Sequence, residues 1–504
     1  MLLAGLLITV CTGGAVATAG LLELKNFTDE FRDLSHEAPL RKGTVERAAP
    51  GKPQTILLVG SDHRFGDGKD DARSDTMMLV RIDPDQSAIT VLSVPRDLAV
   101  EIPGRGLAKI NEAYTLGGLD LVARTIKDLL GKSQRFPINH AITTTFGGFV
   151  EAVNQIGCVY VDVDRRYYHS NAGLPVSEHY AEINVRAGYQ ELCGTRALEY
   201  VRFRHLDNDI VRAARQQDFL RAAKDQLRDQ GVLRNLRPLA RIVAKATETD
   251  GDLRTTQGIL RLAKILVGSS GKPIRQIHFP VTFVAPSAPV QAGQQPFTTG
   301  TAALGSYVTS TPEQIDQAVH EFMHPGPVKQ IRTRTTRKRK GHKARTSTVE
   351  MRNALGEGQE LVKAIHVREA TRMPVYVPRA VTPRAAFAQS TAEAPNPRRY
   401  VIRGPHGHKF AAYRLVLVEN ATKGQYYGVQ GTTWRNPPLL AAAHQTRRIG
   451  GKTFRLYTDG GRLRLVAWYT PKAVYWVSNT LSQDLTNAQM LAVASSLTRA
   501  RASR

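Results

Sequence analysis

Three short apolar runs near the start of the chain constrain its fold most. They are "TILLVG" at 55–60, "TMMLV" at 76–80 and "ITVLSV" at 89–94, and Asp83, Pro84 and Asp85 supply a turn between the last two. Runs of this length that end at turn residues are typical of buried strands. Farther along, apolar strands alternate with helical patterns. This alternation predicts an α/β domain over residues 54–325.

The predicted hairpin places charged side chains at one edge of the sheet. If its turn is centred near residue 85, antiparallel pairing brings Asp75 opposite Arg96. The preceding strand leads directly into Asp62 and Arg64. We therefore expect carboxylate and guanidinium groups to collect at this edge. A solvated loop with exposed ion pairs over residues 62–73 is the alternative.

A second group of arginines lies in the segment "EYVRFRH" at 199–205. Val201 and Phe203 alternate there with Arg202 and Arg204. Such alternation predicts an extended segment that carries both arginines on one face.

A helix is predicted to follow, with Asp209 capping its first turn. Arg212, Arg215 and Gln216 are spaced three and four residues apart, so they share one face of this helix. Arginine presents a planar fork that binds phosphate oxygens in pairs, and aspartates are hard oxygen ligands that suit Mg²⁺. The two groups of residues together predict a site for a magnesium-bound pyrophosphate.

The N-terminal segment indicates where the chain acts. No charged side chain occurs from Leu2 to Leu22, a run long enough to cross about 30 Å of hydrocarbon as a helix. The charged residues that follow are net acidic, which favours an outside position for this flank. We expect a single-pass protein of the cell membrane, with an anchor at 1–24, a juxtamembrane segment at 25–53 and an extracytoplasmic body. A signal peptide cleaved after "ATA" at 17–19 is the alternative.

Two cysteines, Cys158 and Cys193, lie outside the N-terminal run. An even number of cysteines in an exported chain indicates a disulfide, and their spacing matches no metal-binding motif. Two buried free thiols are the alternative.

The charge of the chain favours a polyanionic partner. The sequence has 69 Lys and Arg against 44 Asp and Glu, a net charge of +25. It contains no helix-turn-helix or aromatic RNA-binding pattern, and an exported body would not meet the chromosome. We therefore expect no nucleic acid partner. The acid-free basic run at 329–345 is predicted to be solvated.

The remainder of the chain divides by composition. The basic run and a proline-containing stretch predict a linker at 326–397. From 398 to 504, alternating strands precede a final helix, so we expect a small accessory α+β domain outside the cytoplasm. Gly460 and Gly461 predict a hairpin turn, and Trp434, Trp468 and Trp476 are expected in the core of this domain.

Six blocks stand out from the rest of the sequence: "LLVGSDHR", "RSDTMMLVRID", "SVPRDLAVEIPG", "KINEAYTLGG", "LCGTRALEYVRFRH" and "DIVRAARQQ". In order and spacing they resemble the LytR-CpsA-Psr family over about residues 54–324. The resemblance implies an α-β-α sandwich catalytic domain behind one transmembrane helix. It also implies a Mg²⁺-dependent phosphotransferase of cell-wall biogenesis. Such an enzyme moves a glycopolymer, of the teichoic acid or arabinogalactan type, from a polyprenyl-pyrophosphate carrier in the membrane to peptidoglycan.

The resemblance also implies roles residue by residue. It assigns metal binding to Asp62 and Asp75. It assigns pyrophosphate binding to Arg96, Lys109, Arg202, Arg204, Arg212 and Gln216, and it gives Asp209 a part in catalysis together with Arg96 and Arg212. For Arg64, Arg73, Arg215 and Asp97, a site role and a structural ion pair both remain open.

The predicted chemistry depends on positioning and electrostatics. Mg²⁺ and the arginines would neutralise charge on the pyrophosphate while an acceptor hydroxyl attacks the sugar-linked phosphorus. If water attacks instead, the same site makes the protein a pyrophosphatase. Product analysis with and without peptidoglycan separates the two reactions.

Overall fold

The computed structural model describes residues 40–41, 43–61, 74–176, 179–204, 209–229, 248–269, 271–284, 307–327, 349–364, 373–441 and 443–500. The chain forms two compact units. The first comprises Met1–Gln155, Val232–Lys272 and Ile277–His324, and the second comprises Ile156–Gly231, Pro273–Gln276 and Pro325–Arg504. Each unit therefore draws on segments that are far apart in the sequence.

Both units contain helices and strands in their described residues. The helices are α1 (Glu112–Leu130), α2 (Phe146–Gln155), α3 (Gly194–Arg202), α4 (Asp209–Asp229), α5 (Thr256–Gly268), α6 (Pro312–Met323), α7 (Leu355–Ala364) and α8 (Asn487–Ser495). The strands up to residue 309 are β1 (Gln54–Ser61), β2 (Ser74–Ile82), β3 (Ile89–Val94), β4 (Ala99–Ile102), β5 (Gly106–Lys109), β6 (His140–Thr144), β7 (Val159–Val163), β8 (Tyr167–His169), β9 (Ile183–Val185), β10 (Gly188–Leu192), β11 (Glu248–Thr249), β12 (Ile274–Ile277), β13 (Thr282–Val284) and β14 (Tyr307–Thr309). The later strands are β15 (Arg352–Asn353), β16 (Tyr376–Pro378), β17 (Ala380–Val381), β18 (Ala386–Phe387), β19 (Arg398–Arg403), β20 (Lys409–Asn420), β21 (Gln425–Thr432), β22 (Gln445–Ile449), β23 (Lys452–Asp459), β24 (Arg462–Tyr469), β25 (Val474–Ser478) and β26 (Leu497–Arg499).

The first unit is built on a mixed sheet in which β11, β6, β1, β2 and β3 are neighbours. Strand β1 pairs antiparallel with β2 and parallel with β6. Strand β2 pairs with β3 so that Met77 lies opposite Val94, which is the register that a turn centred near residue 85 requires. The predicted hairpin is therefore confirmed.

Helix α6 shows how local sequence builds this unit. Thr311 Oγ1 accepts a hydrogen bond from the Gln314 backbone N–H at 3.3 Å, and Gln314 Oε1 accepts from the Thr311 N–H at 3.0 Å. This capping box starts the helix. Ile315, Val319 and Phe322 then recur at helical spacing and are buried in the core of the first unit.

The second unit combines a β-ribbon with an antiparallel sheet from the C-terminal part of the chain. Strands β7 and β10 form the ribbon. In the sheet, β18, β20, β21, β25, β24, β23 and β22 are neighbours in this order, and β19 also pairs with β20. Gly460 and Gly461 make the predicted hairpin turn, since Asp459 pairs with Arg462 on either side of them. The final helix of the sequence prediction is α8.

Aromatic residues form a core that both parts of the second unit share. Tyr160 of β7 lies edge-on to Trp434, with ring centroids 5.0 Å apart, and Tyr189 of β10 lies edge-on to Trp476 at 5.6 Å. Trp434, Trp468 and Trp476 are all buried, which confirms that they belong to the core. The ribbon and the C-terminal sheet therefore depend on each other for burial of their apolar surface.

Cys158 and Cys193 form a disulfide in the second unit, as predicted, with their Cα atoms 4.3 Å apart. The bond closes the end of the ribbon, because Val159 and Leu192, the adjacent residues, are partners in the β7–β10 register. Cys193 also precedes helix α3 directly.

Two segments differ from the sequence prediction. Residues 199–202 are helical rather than extended, because Ala197, Tyr200 and Val201 are buried at the spacing of a helix in α3. The C-terminal half of the predicted linker carries β16, β17 and β18, and Val377 and Val381 are fully buried. The predicted domain boundaries themselves remain a prediction.

The predicted anchor at 1–24 lies outside the described residues, as do most of the juxtamembrane segment and the basic run at 329–345. None of the helices in the described part of the chain is long and apolar enough to cross a bilayer.

Candidate active site

Asp75 and Arg96 form an ion pair at the edge of the sheet in the first unit. Arg96 Nη1 donates to Asp75 Oδ1 at 2.8 Å. The Asp75 side chain is 22% exposed and the Arg96 side chain 18% exposed, so a ligand can reach both. The carboxylate and the guanidinium that the hairpin register predicted to be opposite each other therefore do lie together.

Asp97 extends this ion pair into a chain of alternating charges. Its carboxylate lies 3.4 Å from Arg96 Nε and 3.4 Å from Lys109 Nζ. Strands β4 and β5 position the lysine, because Lys109 is the register partner of Ala99, two residues after Asp97. We call Asp75, Arg96, Asp97 and Lys109 the Asp75 cluster. Asp97, whose role the sequence left open, joins the two predicted cations.

Helix α4 carries a buried arginine in its first turn, in the second unit. Arg212 Nη2 lies 2.9 Å from Asp209 Oδ1, three residues earlier, and the Arg212 side chain is only 6% exposed. Asp209 is the first residue of the helix as described. A guanidinium buried to this extent costs free energy, because it gives up hydration that a surface arginine keeps. Arg212 therefore has a functional or structural role and is not part of a solvated helix face.

Other predicted residues lie where α3 meets α4. Gln216 Nε2 donates to the Val201 carbonyl oxygen at 3.2 Å and fastens one helix to the other. The Arg202 guanidinium lies over the ring of Tyr180, 5.0 Å from its centroid, and the Tyr180 hydroxyl donates to the Arg202 carbonyl. Arg204 lies just beyond α3 and is partly exposed. We call Arg202, Arg204, Asp209, Arg212 and Gln216 the α4 cluster.

Sequence reasoning missed Tyr180, which supports Arg202. The tyrosine comes from a loop 22 residues away from the arginine. A lone aromatic residue in a loop has no periodic pattern, so no local signal could have identified it.

Arg215, whose role was also open, is enclosed by aromatic rings. Its guanidinium lies 4.7 Å from the ring centroid of Tyr167, 5.8 Å from that of Tyr200 and 5.7 Å from that of Phe203. It also donates to the Phe203 carbonyl, and the side chain is fully buried. These contacts are those of a structural cation within the core.

The predicted metal site is only partly within the described residues. Asp62, Arg64 and Arg73 lie outside them. The described part of the chain contains no group of three or more His, Cys, Asp or Glu that could hold a metal ion. Asp75 supplies one hard oxygen donor, which fits Mg²⁺, because this ion uses one or two carboxylates and completes its shell with water and phosphate oxygens.

The two clusters contain the groups that phosphoryl chemistry uses. Guanidinium and ammonium groups bind oxyanions through charged hydrogen bonds. Carboxylates beside them accept protons or bind divalent cations. Each cluster is partly exposed, with Asp75, Lys109 and Asp209 reaching solvent.

Comparison with known proteins gives a family and several relatives. The model described as "LytR_cpsA_psr family" matches residues 24–305. The chain is 30% identical over 220 residues to the polyisoprenyl-teichoic acid–peptidoglycan teichoic acid transferase TagT of Bacillus subtilis (strain 168), which covers 43% of this chain and 66% of TagT. It is 31% identical over 278 residues to the transferase TagV of the same strain, which covers 53% of this chain and 66% of TagV. The chain thus matches just under two thirds of the length of each relative.

Solved structures are also similar. The crystal structure of B. subtilis TagV aligns with a TM-score of 0.41 at 24% identity, over 55% of this chain and 97% of that one. A structure of TagT bound to LIIa-WTA aligns with a TM-score of 0.42 at 22% identity, over 57% of this chain and 98% of that one.

Proposed function

The chain belongs to the LytR_cpsA_psr family, and on this premise we propose that it is a phosphotransferase of cell-wall assembly. Its donor is a glycopolymer linked to a polyprenyl pyrophosphate, and its acceptor is peptidoglycan. TagT and TagV are both named as transferases that move teichoic acid from a polyisoprenyl carrier to peptidoglycan, which supports this class of donor and acceptor.

The Asp75 cluster is the observation that carries the proposal. Its cations already bind carboxylate oxygens at 2.8 to 3.4 Å, in a position that is partly open to solvent. Pyrophosphate oxygens can take over such contacts, because they are acceptors of the same kind and carry more charge. Arg96 and Lys109 would thus bind the pyrophosphate of the donor.

The α4 cluster would supply the remaining positive charge. The ion pair between Asp209 and Arg212 keeps the guanidinium oriented, and the ring of Tyr180 supports Arg202. Oriented cations need little rearrangement when charge develops in the transition state, and such preorganisation is usually the largest contribution to the rate. Gln216 and Arg204 complete the proposed set of phosphate-binding residues.

In the proposed reaction a hydroxyl of peptidoglycan attacks the phosphorus that carries the sugar. A new phosphorus–oxygen bond forms, and the bond from that phosphorus to the bridging oxygen of the pyrophosphate breaks. The polyprenyl phosphate leaves with the bridging oxygen and its electron pair. Asp209 takes the proton of the attacking hydroxyl, and Arg96 and Arg212 stabilise the charge that develops on the phosphate oxygens.

Mg²⁺ is the proposed cofactor, held by Asp75 and Asp62. It would supply positive charge to the phosphate oxygens when bound. Asp62 directly follows Ser61, and Ser61 is the register partner of Ser74, which precedes Asp75. This register supports the assignment of both aspartates to one ion, because Asp62 follows the last residue of β1 in the sequence and Asp75 lies at the start of the paired strand β2.

The proposal places the enzyme on the outer side of the cell membrane, held by the anchor at 1–24. Both substrates are found there, since a polyprenyl carrier resides in the bilayer and peptidoglycan lies outside it. The disulfide between Cys158 and Cys193 supports this location, because such bonds persist in oxidising compartments and are rare in the cytosol.

Product analysis tests the proposal. The full-length protein in detergent is incubated with a polyprenyl-pyrophosphate-linked oligosaccharide and Mg²⁺, with and without peptidoglycan. We expect polyprenyl phosphate and a phosphate-linked glycan on peptidoglycan only when the acceptor is present. Equal release of polyprenyl phosphate without acceptor would show that water attacks and that the protein is a pyrophosphatase. No release under either condition would overturn the assignment.

A further inference from the structure

A pocket in the second unit is lined mainly by arginines and lies outside both clusters. It has a volume of about 180 Å³, and its charged lining residues in the described part of the chain are Arg165, Arg166, Arg186, Arg398 and Glu393. We call it the arginine pocket. Four guanidinium groups against one carboxylate give the lining a net charge of +3.

Its wall is rigid where it borders the C-terminal sheet. Asn396 is buried, and its Nδ2 donates to the carbonyl oxygens of Ala388 at 2.8 Å and Val416 at 3.0 Å. The Val416 N–H in turn donates to Asn396 Oδ1 at 2.9 Å. These three bonds hold the loop after β18 against β20, so the pocket exists without a ligand to shape it.

Aromatic rings and backbone carbonyls hold two of the arginines in place. The Arg165 guanidinium lies 4.7 Å from the ring centroid of Tyr167 and 4.8 Å from that of Tyr426. Arg398 lies 4.2 Å from the ring centroid of Tyr400, and its Nη1 donates to the Ala187 carbonyl. Neither the Tyr400 ring nor the Ala187 carbonyl carries a full negative charge that would neutralise the Arg398 guanidinium.

The carboxylate of Glu393, which opposes the arginines in the pocket, is mostly solvated. Arg166 Nη1 lies 3.2 Å from Glu393 Oε2, but the Glu393 side chain is 75% exposed. An ion pair this exposed is screened by water and contributes little. Arg166 also donates from Nε to Asn184 Oδ1 at 3.1 Å, which orients its guanidinium independently of Glu393.

The surroundings of Arg398 disfavour its charged form, chiefly because the side chain is buried. Burial lowers the pKa of its guanidinium below the usual range, and the nearby cations Arg186 and Arg196 lower it further, although Tyr400 raises it. A site that concentrates cations in this way gains free energy when an anion enters, because the anion relieves their repulsion.

We propose that the arginine pocket binds the phosphate group of a phosphate monoester, as a site separate from the two clusters. Guanidinium groups that approach from several directions fit the tetrahedral oxygens of a phosphate, and a charge of up to two on a phosphate monoester matches the excess of cations better than a single carboxylate does. The binding measurement is direct, so this inference does not depend on the proposed function.

Calorimetric titration of the full-length protein with glycerol 3-phosphate tests the inference, with inorganic phosphate, glucuronate and glycerol as comparison ligands. We expect both phosphates to bind and glycerol not to bind. A dissociation constant of about 1 mM is typical of a few charged hydrogen bonds at an accessible site. Glucuronate should bind at least about fivefold more weakly than glycerol 3-phosphate.

Variants locate the binding. Arg186 is exposed, so Arg186→Gln removes one cation without disturbing the core, and we expect it to weaken glycerol 3-phosphate binding by roughly five- to tenfold. Glu393→Gln removes the opposing carboxylate and should strengthen binding by about two- to threefold. Arg448→Gln changes an exposed arginine of β22 outside the pocket lining and should leave binding within about twofold of the wild type.

The test is strict because Arg186→Gln should weaken phosphate binding and Glu393→Gln should strengthen it. Phosphate binding that neither variant changes lies at another site and overturns the inference. Glucuronate that binds as tightly as glycerol 3-phosphate overturns the choice of phosphate, and the absence of saturable phosphate binding overturns the pocket as a ligand site. Circular dichroism of each variant confirms that the protein is folded.

Discussion

Arg414 Nη1 donates to both carboxylate oxygens of Asp162, at 3.1 and 3.3 Å, although the two residues are 252 positions apart in the sequence. Arg414 is fully buried and the Asp162 side chain is only 6% exposed. Trp476 Nε1 completes the network by donating to Asp162 Oδ2 at 2.9 Å. A strand of the ribbon and two strands of the C-terminal sheet are thereby joined through one buried carboxylate.

Removing the guanidinium from this network should destabilise the second unit strongly. We expect Arg414→Met to lower the free energy of unfolding by about 3 to 5 kcal/mol, because Asp162 would then be a buried charge without its cation. Urea denaturation followed by tryptophan fluorescence measures the loss. The double variant Arg414→Met/Asp162→Asn should recover part of it, since the unpaired charge is gone. Strictly additive losses would contradict this account.

Loss of the disulfide should also destabilise this unit. The bond between Cys158 and Cys193 spans a sequence separation of 35 residues. In the chain-entropy description, opening a loop of that size costs about 3 to 4 kcal/mol. The double variant Cys158→Ala/Cys193→Ala should therefore unfold at a lower urea concentration than the wild type. Alkylation of both thiols in the folded, non-reduced protein would show that the bond does not form.

Arg212→Lys tests the planar fork in the α4 cluster. Lysine keeps the charge but cannot bind two oxygens side by side, so we expect kcat/KM for transfer to fall by roughly tenfold to a thousandfold. The matched control is Arg124→Lys, another helical arginine, whose Nε lies 3.1 Å from an aspartate four residues earlier. The control should leave transfer unchanged. Wild-type transfer by Arg212→Lys would remove this residue from the proposed site.

Asp75→Asn tests the proposed metal site. The substitution keeps the shape of the side chain but removes the charge that attracts a divalent cation, so activity should fall by roughly 10- to 100-fold at low Mg²⁺. Raised Mg²⁺ should restore part of the activity of Asp75→Asn but not that of Arg212→Lys. The control is Asp85→Asn in the exposed turn of the hairpin. A defect in Asp75→Asn that Mg²⁺ concentration does not influence would argue for a structural role beside Arg96.

The stability of the second unit should depend on pH through His444. Partial burial lowers the pKa of this imidazole below its usual value near 6.5, and the cation of Arg464 lowers it further, against the opposing effect of Asp225 and Asp459. The Thr458 backbone N–H donates to His444 Nδ1 at 2.9 Å, and only the unprotonated nitrogen can accept this bond.

The direction of the pH effect follows from the lowered pKa. Above pH 6.5 the imidazole is neutral in both the folded and the unfolded chain, so His444 costs no stability there. As pH falls below 6.5 the unfolded chain takes up a proton first, so stability declines until the folded pKa is reached, and water around the partly exposed side chain reduces the size of this decline. The loss of stability is measured by comparing the urea midpoints of the wild type and the His444→Asn variant between pH 8 and pH 5. A constant difference between the two proteins across this range would contradict the prediction.

The residues that could be predicted are those with a local signature. The pairing of Asp75 with Arg96 followed from the centre of one turn, and the disulfide followed from two cysteines in a chain expected to be exported. The buried tryptophans followed from strand patterning. In each case the inference needed only neighbours in the sequence or a count of residues.

The features that could not be predicted depend on distant contacts. Residues 201–204 alternate apolar and basic side chains, and this short alternation concealed the helical spacing of Ala197, Tyr200 and Val201. Burial of those three side chains decides in favour of the helix. The pair of Asp162 and Arg414 has no sequence signature, because a charged residue in a strand usually faces water and its buried partner lies on another strand of the fold.

The long separation within the Asp162 network has a consequence for synthesis of the chain. A ribosome that adds about 5 to 20 residues per second reaches Arg414 roughly 10 to 50 s after Asp162, given their separation of 252 positions. For most of this interval both strands of the ribbon have been synthesised, but the strands that bury Tyr160 and Tyr189 have not. The aromatic surface of the ribbon therefore stays uncovered until the last quarter of the protein has been synthesised.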